Sequence, residues 1–551
     1  MLGLKKHRAP IIIIIMLLFA VSFPYIFAAH SGGSGQVFGG FLLNPLDGNS
    51  YLAKMYEGWR GEWLFSLPYT AERGNGSFLF IYYLALGHAA RWFGLPLILT
   101  FHLARLLAAA LLLLALYRFY QAVLPESRQV KLAFALGAMG SGLGWLALPF
   151  GAFTPDFWVA EAYPFLSAYA NPHFPLSLAL ILWLLTPHRE PGQKPGKELI
   201  LTLIASLLLA VISPFGVVIV VTCLGGVLVW EILSSFSRWL SLDSNMNHEG
   251  TKERRITKFY LNSFRSSSFV LRLPFILLGG GPLLLYDLWV SRVDPFLTVW
   301  NAQNVTTSPP LWDLIVSLSP ALFLTLPAAW TVLKRYPTHG RLLLAWLALG
   351  LVLLYLPFGL QRRFMMGLYI PLAGLAAMGI DRLVHDRAAG AIHRRRYLFV
   401  VFLLFMLAVP TNLVVLLAAR HGAQTHDPNL YLSSGEEQAF RWIERNTPGE
   451  ALILASPQTG LFIPAHTGRR VLYGHPFETA NAGAEKEFVT NFYLNGDIPD
   501  AAREERGVDY IFYGPREQEI NAADFLTGLP AVYDHEGVKI YTFSGPSALD
   551  D

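Results

Sequence analysis

Long apolar segments alternate with short polar ones over the first 420 residues of the chain. A membrane-spanning helix needs roughly 20 consecutive, mostly apolar residues. By this criterion the pattern predicts eleven spans, at about 10–29, 95–118, 131–150, 172–188, 198–213, 215–235, 269–290, 311–333, 341–359, 364–384 and 397–419. The predicted fold of residues 1–425 is therefore a polytopic α-helical membrane domain.

The pattern changes after about residue 430. Residues 436–446 have helical spacing, with Ser433 or Ser434 available as N-cap and Pro448-Gly449 after the helix. Short runs with β character follow at 451–455, 508–513 and 538–543. Helix alternating with strand predicts a small α/β domain over residues 426–551.

Composition and charge support this division. The chain of 551 residues is 54% hydrophobic and 15% charged, with a mean hydropathy of +0.42, which excludes a soluble globular or disordered class. Residues 1–420 carry 33 Lys/Arg against 18 Asp/Glu, whereas residues 421–551 carry 9 against 20. Cys223 is the single cysteine, so the chain cannot form an intramolecular disulfide.

Basic residues orient the spans, because short cytoplasmic loops are enriched in Lys and Arg. Clusters near residues 5–8, 118–131, 189–197, 252–258, 334–341 and 382–396 predict a cytoplasmic N-terminus and a cytoplasmic loop at 236–268. The same rule places the first outer loop, 30–94, and the α/β domain outside the cytoplasm. We expect an integral protein of a bacterial inner membrane, with an archaeal or endoplasmic reticulum membrane as alternatives.

Two apolar segments allow more than one interpretation. Residues 77–93 compete as a twelfth span, but counting them would turn the Arg-rich segment 118–131 outward, so we predict an interfacial helix. The first span, which follows Lys5-Lys6-His7-Arg8, also resembles a signal peptide. Its length of about 19 residues favours a retained anchor.

Asp47 is the carboxylate of greatest interest in the first outer loop. Its neighbours Asn44, Pro45, Gly48 and Asn49 are turn formers, so one interpretation is an ordinary turn. Apolar positions such as Tyr51 and Met55 then recur at helical spacing. The functional interpretation places Asp47 just before an interfacial helix, at the mouth of a cavity.

The spacing around Asp47 resembles the first external loop of the GT-C superfamily of membrane glycosyltransferases, which includes aminoarabinose, mannosyl and arabinofuranosyl transferases. The resemblance covers roughly residues 10–120 and is architectural beyond them. It is carried by Asp47-x3-Tyr51-x3-Met55-x7-Trp63, by Glu72-Arg73-x5-Leu79-x2-Tyr82-Tyr83-x-Ala85-x-Gly87, by Phe93-Gly94 and by Ala104-Arg105-Leu106. Two positions depart from the superfamily pattern. Gly48 follows Asp47 where many members have Glu, and Gly74 follows Arg73 where proline is usual.

The resemblance implies an inverting transfer of a sugar from a polyprenyl-phosphate donor to an acceptor, which is a lipid, a protein or a glycan. Asp47 would be the general base that takes the acceptor proton. The departing lipid phosphate would need cations, and Arg73, Arg362 and Arg363 are the candidates. Arg362 and Arg363 lie in a short turn on the predicted outer side, against the usual charge rule, so an error in the topology is the alternative.

Other polar residues are candidates for a metal or for the acceptor. Glu72, Glu161 and His173, together with Asp47, have oxygen and nitrogen donors suited to a divalent metal ion, which some GT-C enzymes hold. A solvated interfacial histidine is the alternative for His173. Tyr51 and His475 are candidates for acceptor contact, the alternative for His475 being a structural loop of the α/β domain.

Two other functional classes remain open. A transporter or lipid flippase would place charges near the middle of the membrane, often in paired repeats. Here the unusual charges cluster at the outer boundary and no repeat is visible. The third class is a non-catalytic GT-C relative that acts in envelope polymer assembly. The sequence shows no Walker loop, no zinc pattern and no nucleic-acid-binding face.

Overall fold

The computed structural model describes residues 2–187, 196–243, 268–335, 340–384, 391–496 and 506–543. Residues 244–267 of the predicted cytoplasmic loop lie outside these ranges. The α-helices are α1 Leu2–Ser31, α2 Pro45–Arg60, α3 Ile81–Phe93, α4 Leu97–Val123, α5 Ser127–Met139, α6 Gly144–Ala147, α7 Pro164–Ala170, α8 His173–Leu185, α9 Gly196–Ile212, α10 Pro214–Asp243, α11 Ser268–Val293, α12 Pro295–Gln303, α13 Leu311–Leu318, α14 Ala321–Arg335, α15 Arg341–Tyr355, α16 Tyr369–Val384, α17 Ala391–Ala408, α18 Pro410–Gln424, α19 Ser434–Asn446, α20 Pro457–Thr467, α21 Ala482–Asn495 and α22 Pro515–Ile520.

In the part of the chain that the structure describes, each of the eleven predicted spans overlaps one α-helix or two consecutive α-helices. Within the described residues, six helical segments are long and apolar enough to cross a membrane, and two bent pairs raise the number to eight. The bent pairs are Ser127–Met139 with Gly144–Phe150 and Leu311–Leu318 with Ala321–Lys334, whereas α8 and α15 are shorter apolar helices. A polytopic helical architecture is thus present, and the count of eleven stays a prediction.

The chain divides into two compact units. Unit one comprises Met1–Phe19, Leu106–Tyr286 and Thr306–Val415. Its most enclosed segment is Gln361–Val384, with 94% of its apolar window buried, against 22–39% for the other long spans. Those other spans expose large apolar side chains, as a helix does when lipid rather than water surrounds it.

Unit two comprises Ala20–Arg105, Asp287–Val305 and Leu416–Asp551. It therefore combines most of the predicted first outer loop with the C-terminal tail, which the sequence analysis assigned to separate domains. In the tail the predicted helix is present as α19, where Ser433 and Glu436 form a reciprocal capping box. The three predicted β runs are also present, as β3, β5 and β7 of the sheet.

The strands of unit two form two sheets. The strands are β1 Gln36–Phe38, β2 Tyr431–Ser433, β3 Leu452–Leu454, β4 Arg470–Val471, β5 Tyr510–Tyr513, β6 Ala531–His535 and β7 Val538–Thr542. β1 and β2 pair antiparallel, with Val37 opposite Leu432. The other five have the order β4-β3-β5-β7-β6, parallel among β4, β3 and β5 and antiparallel at β7 and β6.

The carboxyl ends of β3 and β5 are closed by a buried side chain. Parallel sheets commonly bind ligands at this edge, where connections leave a central strand in opposite directions. Here Glu517 accepts hydrogen bonds there from the backbone N–H groups of Ser456 at 2.9 Å and Gly514 at 3.0 Å. The side chain of Glu517 thus links the ends of β3 and β5.

Helices α2 and α3 approach each other at two glycines. A Cβ on Gly58 would lie 2.0 Å from the carbonyl oxygen of Leu84, and one on Gly87 would lie 1.9 Å from that of Met55. Any side chain at these positions would push the helices apart, because backbone atoms cannot give way as side-chain tips can. The pair of glycines therefore fixes how α2 packs.

We expect Gly87→Ala to lower the free energy of unfolding by about 1–3 kcal/mol, because the added methyl overpacks the α2–α3 contact. The matched control is Gly483→Ala in α21, where the new Cβ would meet nothing within 4 Å, and its effect should stay within about 0.5 kcal/mol. Thermal unfolding of the two purified variants makes the comparison. Equal midpoints would show that the contact is not tight.

Candidate active site

Asp47 lies in the first turn of α2, where its backbone is fixed by its neighbours. Pro45 occupies the first helical position, to which its ring is suited, and Asn44 precedes it with a φ of 53°. The Asn44 side-chain amide donates to Asp47 Oδ2, and the helix dipole favours a carboxylate in this turn. The sequence analysis placed Asp47 just before the helix; the helix begins earlier, because Pro45 can start it.

The two departures from the superfamily pattern have structural causes. A Cβ on Gly48 would lie 2.3 Å from the ring of Phe41, so the side chain of a glutamate does not fit there without a shift. Gly74 has a φ of 72°, which proline cannot adopt because its ring holds φ near −65°. Both glycines are thus required by local geometry in this chain.

His475 approaches Asp47 from the C-terminal tail. Its Nδ1 accepts the backbone N–H groups of Phe477 at 3.1 Å and Glu478 at 3.2 Å. The proton of a neutral ring must then be on Nε2, which lies 3.9 Å from Asp47 Oδ1. Nε2 is buried and has no hydrogen-bond partner among the described residues. The one donor that remains on this ring therefore lies beside the carboxylate.

Burial lowers the pKa of His475 below its ordinary value, against the attraction of Glu478 and Asp47. The imidazole is consequently neutral near pH 7 and acts as a donor rather than as a counter-charge. Asp47 is 33% exposed at its side chain, whereas His475 is 2% exposed. The accessible Asp47 carboxylate therefore lies beside an enclosed, neutral imidazole.

A buried ion pair lies beneath this site. Lys54 Nζ is 2.6 Å from Glu478 Oε1, and Ser50 Oγ donates to the same oxygen at 2.6 Å. Lys54 is fully buried, with its ammonium 4.4 Å from the centre of the Phe80 ring and 5.3 Å from that of Phe65. Burial acts to raise the pKa of Glu478, but the charge of Lys54, together with the hydrogen bonds from Lys54 and Ser50, outweighs it and holds that pKa below its ordinary value. The pair connects α2 to the segment that carries His475.

Two amides hold the segment 475–479 from a third part of unit two. Gln303, the last residue of α12, donates to the carbonyl oxygen of Thr479, and Asn304 donates to that of Phe477 at 2.9 Å. Tyr51 is buried and stacks on Tyr83, with ring centroids 4.3 Å apart. Its contact with an acceptor stays a prediction.

Arg73 lies at the other end of α2. Its Nε donates to Ser66 Oγ at 3.1 Å, and that hydroxyl donates to Glu57 Oε1 at 2.6 Å. Glu57 follows Asp47 by ten residues on one helix, which is about 15 Å along the axis. Unit two therefore does not bring Arg73 together with Asp47. Glu72 is exposed.

The remaining predicted residues lie in unit one. Arg363 Nη1 is 3.6 Å from Glu161 Oε1, and the Arg362 guanidinium lies 4.6 Å from the centre of the Trp158 ring. His173, the first residue of α8, is buried with its ring against Phe174. Unit one thus pairs two of the predicted residues, Glu161 and Arg363.

Sequence reasoning missed Lys54, the role of Ser50 and the pairing of Lys54 with Glu478. One signal was available, because Lys54 follows Tyr51 and precedes Met55, on the face that helical spacing assigns to the interior. A buried lysine requires a partner. The partner could not be identified, because Glu478 is 424 residues away in the chain.

Several solved structures are similar to this chain. The archaeal oligosaccharyltransferase AglB from Archaeoglobus fulgidus, in complex with an inhibitory peptide and a dolichol-phosphate, aligns over 94% of this chain and 70% of its own, with 13% identity and a TM-score of 0.52. ArnT from Cupriavidus metallidurans, bound to undecaprenyl phosphate, aligns over 96% and 98%, with 12% identity and a TM-score of 0.47. Arabinofuranosyltransferase AftD from Mycobacteria aligns over 96% and 40%, with 16% identity and a TM-score of 0.49.

No protein-family model matches the sequence, and no curated protein does. The three structures are GT-C membrane glycosyltransferases. At these identities the similarity to AglB establishes the fold alone. The chain has the GT-C fold, as the resemblance in its first outer loop predicted.

The expectation of a divalent metal was tested against the side chains. AglB has been solved in complex with zinc and sulfate. In this chain, no group of three or more His, Cys, Asp or Glu side chains within the described ranges is placed to hold a metal ion. Glu161 is instead beside Arg363. The described side chains as placed do not form a metal site.

We expect Lys54→Met to lower the free energy of unfolding by about 3–5 kcal/mol, because it leaves the Glu478 carboxylate buried without its cation. Adding Glu478→Gln should recover part of that loss. The exposed pair Arg441–Glu437 is the control, and its removal should cost less than about 1 kcal/mol. A double-mutant cycle from thermal unfolding measures both pairs, and additive losses at Lys54 and Glu478 would contradict the coupling.

Glu57 gives a pH-dependent prediction. Burial raises its pKa from 4.5 to about 7, against the hydrogen bonds from Ser66 and the charge of Arg73. The unfolded carboxyl ionises first, so this residue makes folding less favourable as the pH rises from about 4.5 to 7. Glu57→Gln should therefore unfold at a higher temperature than the wild type at pH 8 and at the same temperature at pH 4. A constant difference across this range would refute the assignment.

Proposed function

We propose that the chain is an inverting glycosyltransferase that moves a sugar from a polyprenyl-phosphate-linked donor to an acceptor hydroxyl or amide at the outer face of a bacterial inner membrane. The observation that carries the proposal is the orientation of Asp47. One of its oxygens receives the Asn44 amide, the other lies beside the Nε2 of a neutral His475, and the carboxylate is still accessible.

Asp47 is the general base in this proposal. As the acceptor atom forms its bond to the anomeric carbon, it loses its proton to Asp47. The bond from that carbon to the lipid phosphate breaks on the opposite face, and the bonding electrons leave with the phosphate. Attack from the face opposite the leaving group inverts the configuration of the anomeric carbon.

Three groups are positioning residues in this scheme. Asn44 donates a hydrogen bond to the carboxylate, His475 places its Nε2 beside it, and the Lys54–Glu478 pair fixes the segment that carries His475. Arg362 and Arg363 are proposed as cations for the donor phosphate, since guanidinium groups bind phosphate through paired hydrogen bonds. Tyr51 is proposed at the acceptor side. The sugar transferred is a hexose or a pentose.

Asp47→Asn keeps the size and the helix position of the side chain and removes the base, so we expect transfer to fall by about 10²–10⁴-fold. Membranes with wild type or variant would be incubated with a panel of radiolabelled polyprenyl-phosphate sugars, and label leaving the lipid would be counted. The control is Asp534→Asn, an exposed aspartate of β6. Undiminished transfer in Asp47→Asn at equal expression would refute the mechanism, and lipid movement across sealed vesicles without product would favour a flippase.

A further inference from the structure

A second polar site opens at the C-terminal end of α2. It is a small open cleft, here named the arginine cleft and defined by Glu57, Arg60, Glu62, Arg73, Glu450 and Arg470. All six residues belong to unit two. Three guanidinium groups therefore meet in one opening, supplied by α2, by the segment before α3 and by β4.

Glu450 bridges two of these arginines. Its Oε1 lies 2.6 Å from Arg73 Nη1 and 3.7 Å from Arg60 Nη2. The cleft is thus already shown to accept a carboxylate between two guanidinium groups, the arrangement in which arginine binds oxyanions. Glu450 is a stand-in for such a ligand.

The stand-in is weakly held. Its side chain is 56% exposed, and those of Arg60 and Arg73 are 30% and 35% exposed. Exposed ion pairs of this kind contribute about 0–1 kcal/mol, because water competes with them. An incoming oxyanion can therefore displace the carboxylate at little cost.

The arginines would keep their places when Glu450 leaves. Arg60 Nη1 donates to the carbonyl oxygens of Gly449 at 3.1 Å and Gly468 at 3.0 Å. Arg73 is held by Ser66, and Arg470 donates to the carbonyl oxygens of Ala71 and Glu450. Backbone contacts thus hold Arg60 and Arg470, while Ser66 and Glu62, whose Oε1 lies 3.5 Å from Arg73 Nη2, hold Arg73. The cleft is therefore preorganised for an anion.

Arg470 supplies a second indication. Its Nε is buried and has no hydrogen-bond partner among the described residues. Burial lowers the pKa of Arg470 below its ordinary value, and the nearby positive charge of Arg73 lowers it further. The negative charge of Glu450 acts in the opposite direction but does not outweigh them. Arg73 and Arg470 thus repel each other, and an anion placed between them would relieve this repulsion.

We propose that the arginine cleft is a binding site for the oxyanion group, carboxylate or phosphate, of a soluble ligand, which enters by displacing Glu450. The site is separate from Asp47, because Glu57 and Asp47 are about 15 Å apart along α2. It does not depend on the proposed transfer reaction.

Binding would be measured by calorimetry on the full-length protein in detergent, with inorganic phosphate and with glucuronate as probes. We expect Glu450→Gln to bind the preferred probe about two- to fivefold more tightly than the wild type, because a weakly held internal competitor is gone. Arg73→Gln should weaken binding at least tenfold. Which probe binds more tightly identifies the ligand as a phosphate or a sugar carboxylate.

The exposed pair Arg441–Glu437 of α19 provides matched controls. Glu437→Gln and Arg441→Gln change the same charges elsewhere in unit two and should leave the affinity unchanged. Equal effects of the substitutions at the two pairs would show that only net charge matters and would overturn the proposal. Absence of binding of both probes to Glu450→Gln would also overturn it. Asp47→Asn should bind the probes as tightly as the wild type does. Probe binding therefore tests the arginine cleft independently of the proposed transfer reaction.

Discussion

The ion pair between Lys54 and Glu478 is the interaction on which the candidate active site depends. Removing two charges from water costs several kcal/mol of free energy for each ion, and only close contacts with partners offset this desolvation cost. Here the contacts are a 2.6 Å ion pair, the Ser50 hydroxyl and aromatic ring faces around the ammonium. Since Glu478 lies three residues after His475, fixing the glutamate also fixes the imidazole.

The chemistry of the site follows from how its polar groups are divided between the interior and the surface. The charged pair is enclosed, the histidine is enclosed and neutral, and Asp47 alone is accessible among these side chains. A base needs access to its substrate together with a fixed orientation. Packing that admits no additional atoms around α2, at Gly48, Gly58 and Gly87, provides the rigid support.

Sequence patterns that are local in the chain were sufficient for much of the fold. The apolar helices, the α19 helix with an N-cap at Ser433 and the three strand runs each depend on residues within one element, and the structure has them. Asp47 was identified from the spacing of its own helix. The partner of Lys54 was not identified, because Glu478 follows it by 424 residues. The partner of Arg73 was not identified either, because Glu450 follows it by 377 residues. No spacing rule extends over that distance.

The same separation has a consequence for how the protein is made. Chains are synthesised from the N-terminus at about 5–20 residues per second, so Glu478 is synthesised about 20–85 s after Lys54. Throughout that interval the first outer loop contains Lys54 but lacks the Glu478 carboxylate with which Lys54 pairs in the folded protein. The loop cannot reach its final packing until the tail arrives. Premature termination anywhere before residue 478 should therefore yield a membrane-inserted but immature chain, which gives quality-control proteases an exposed, unfinished loop to recognise.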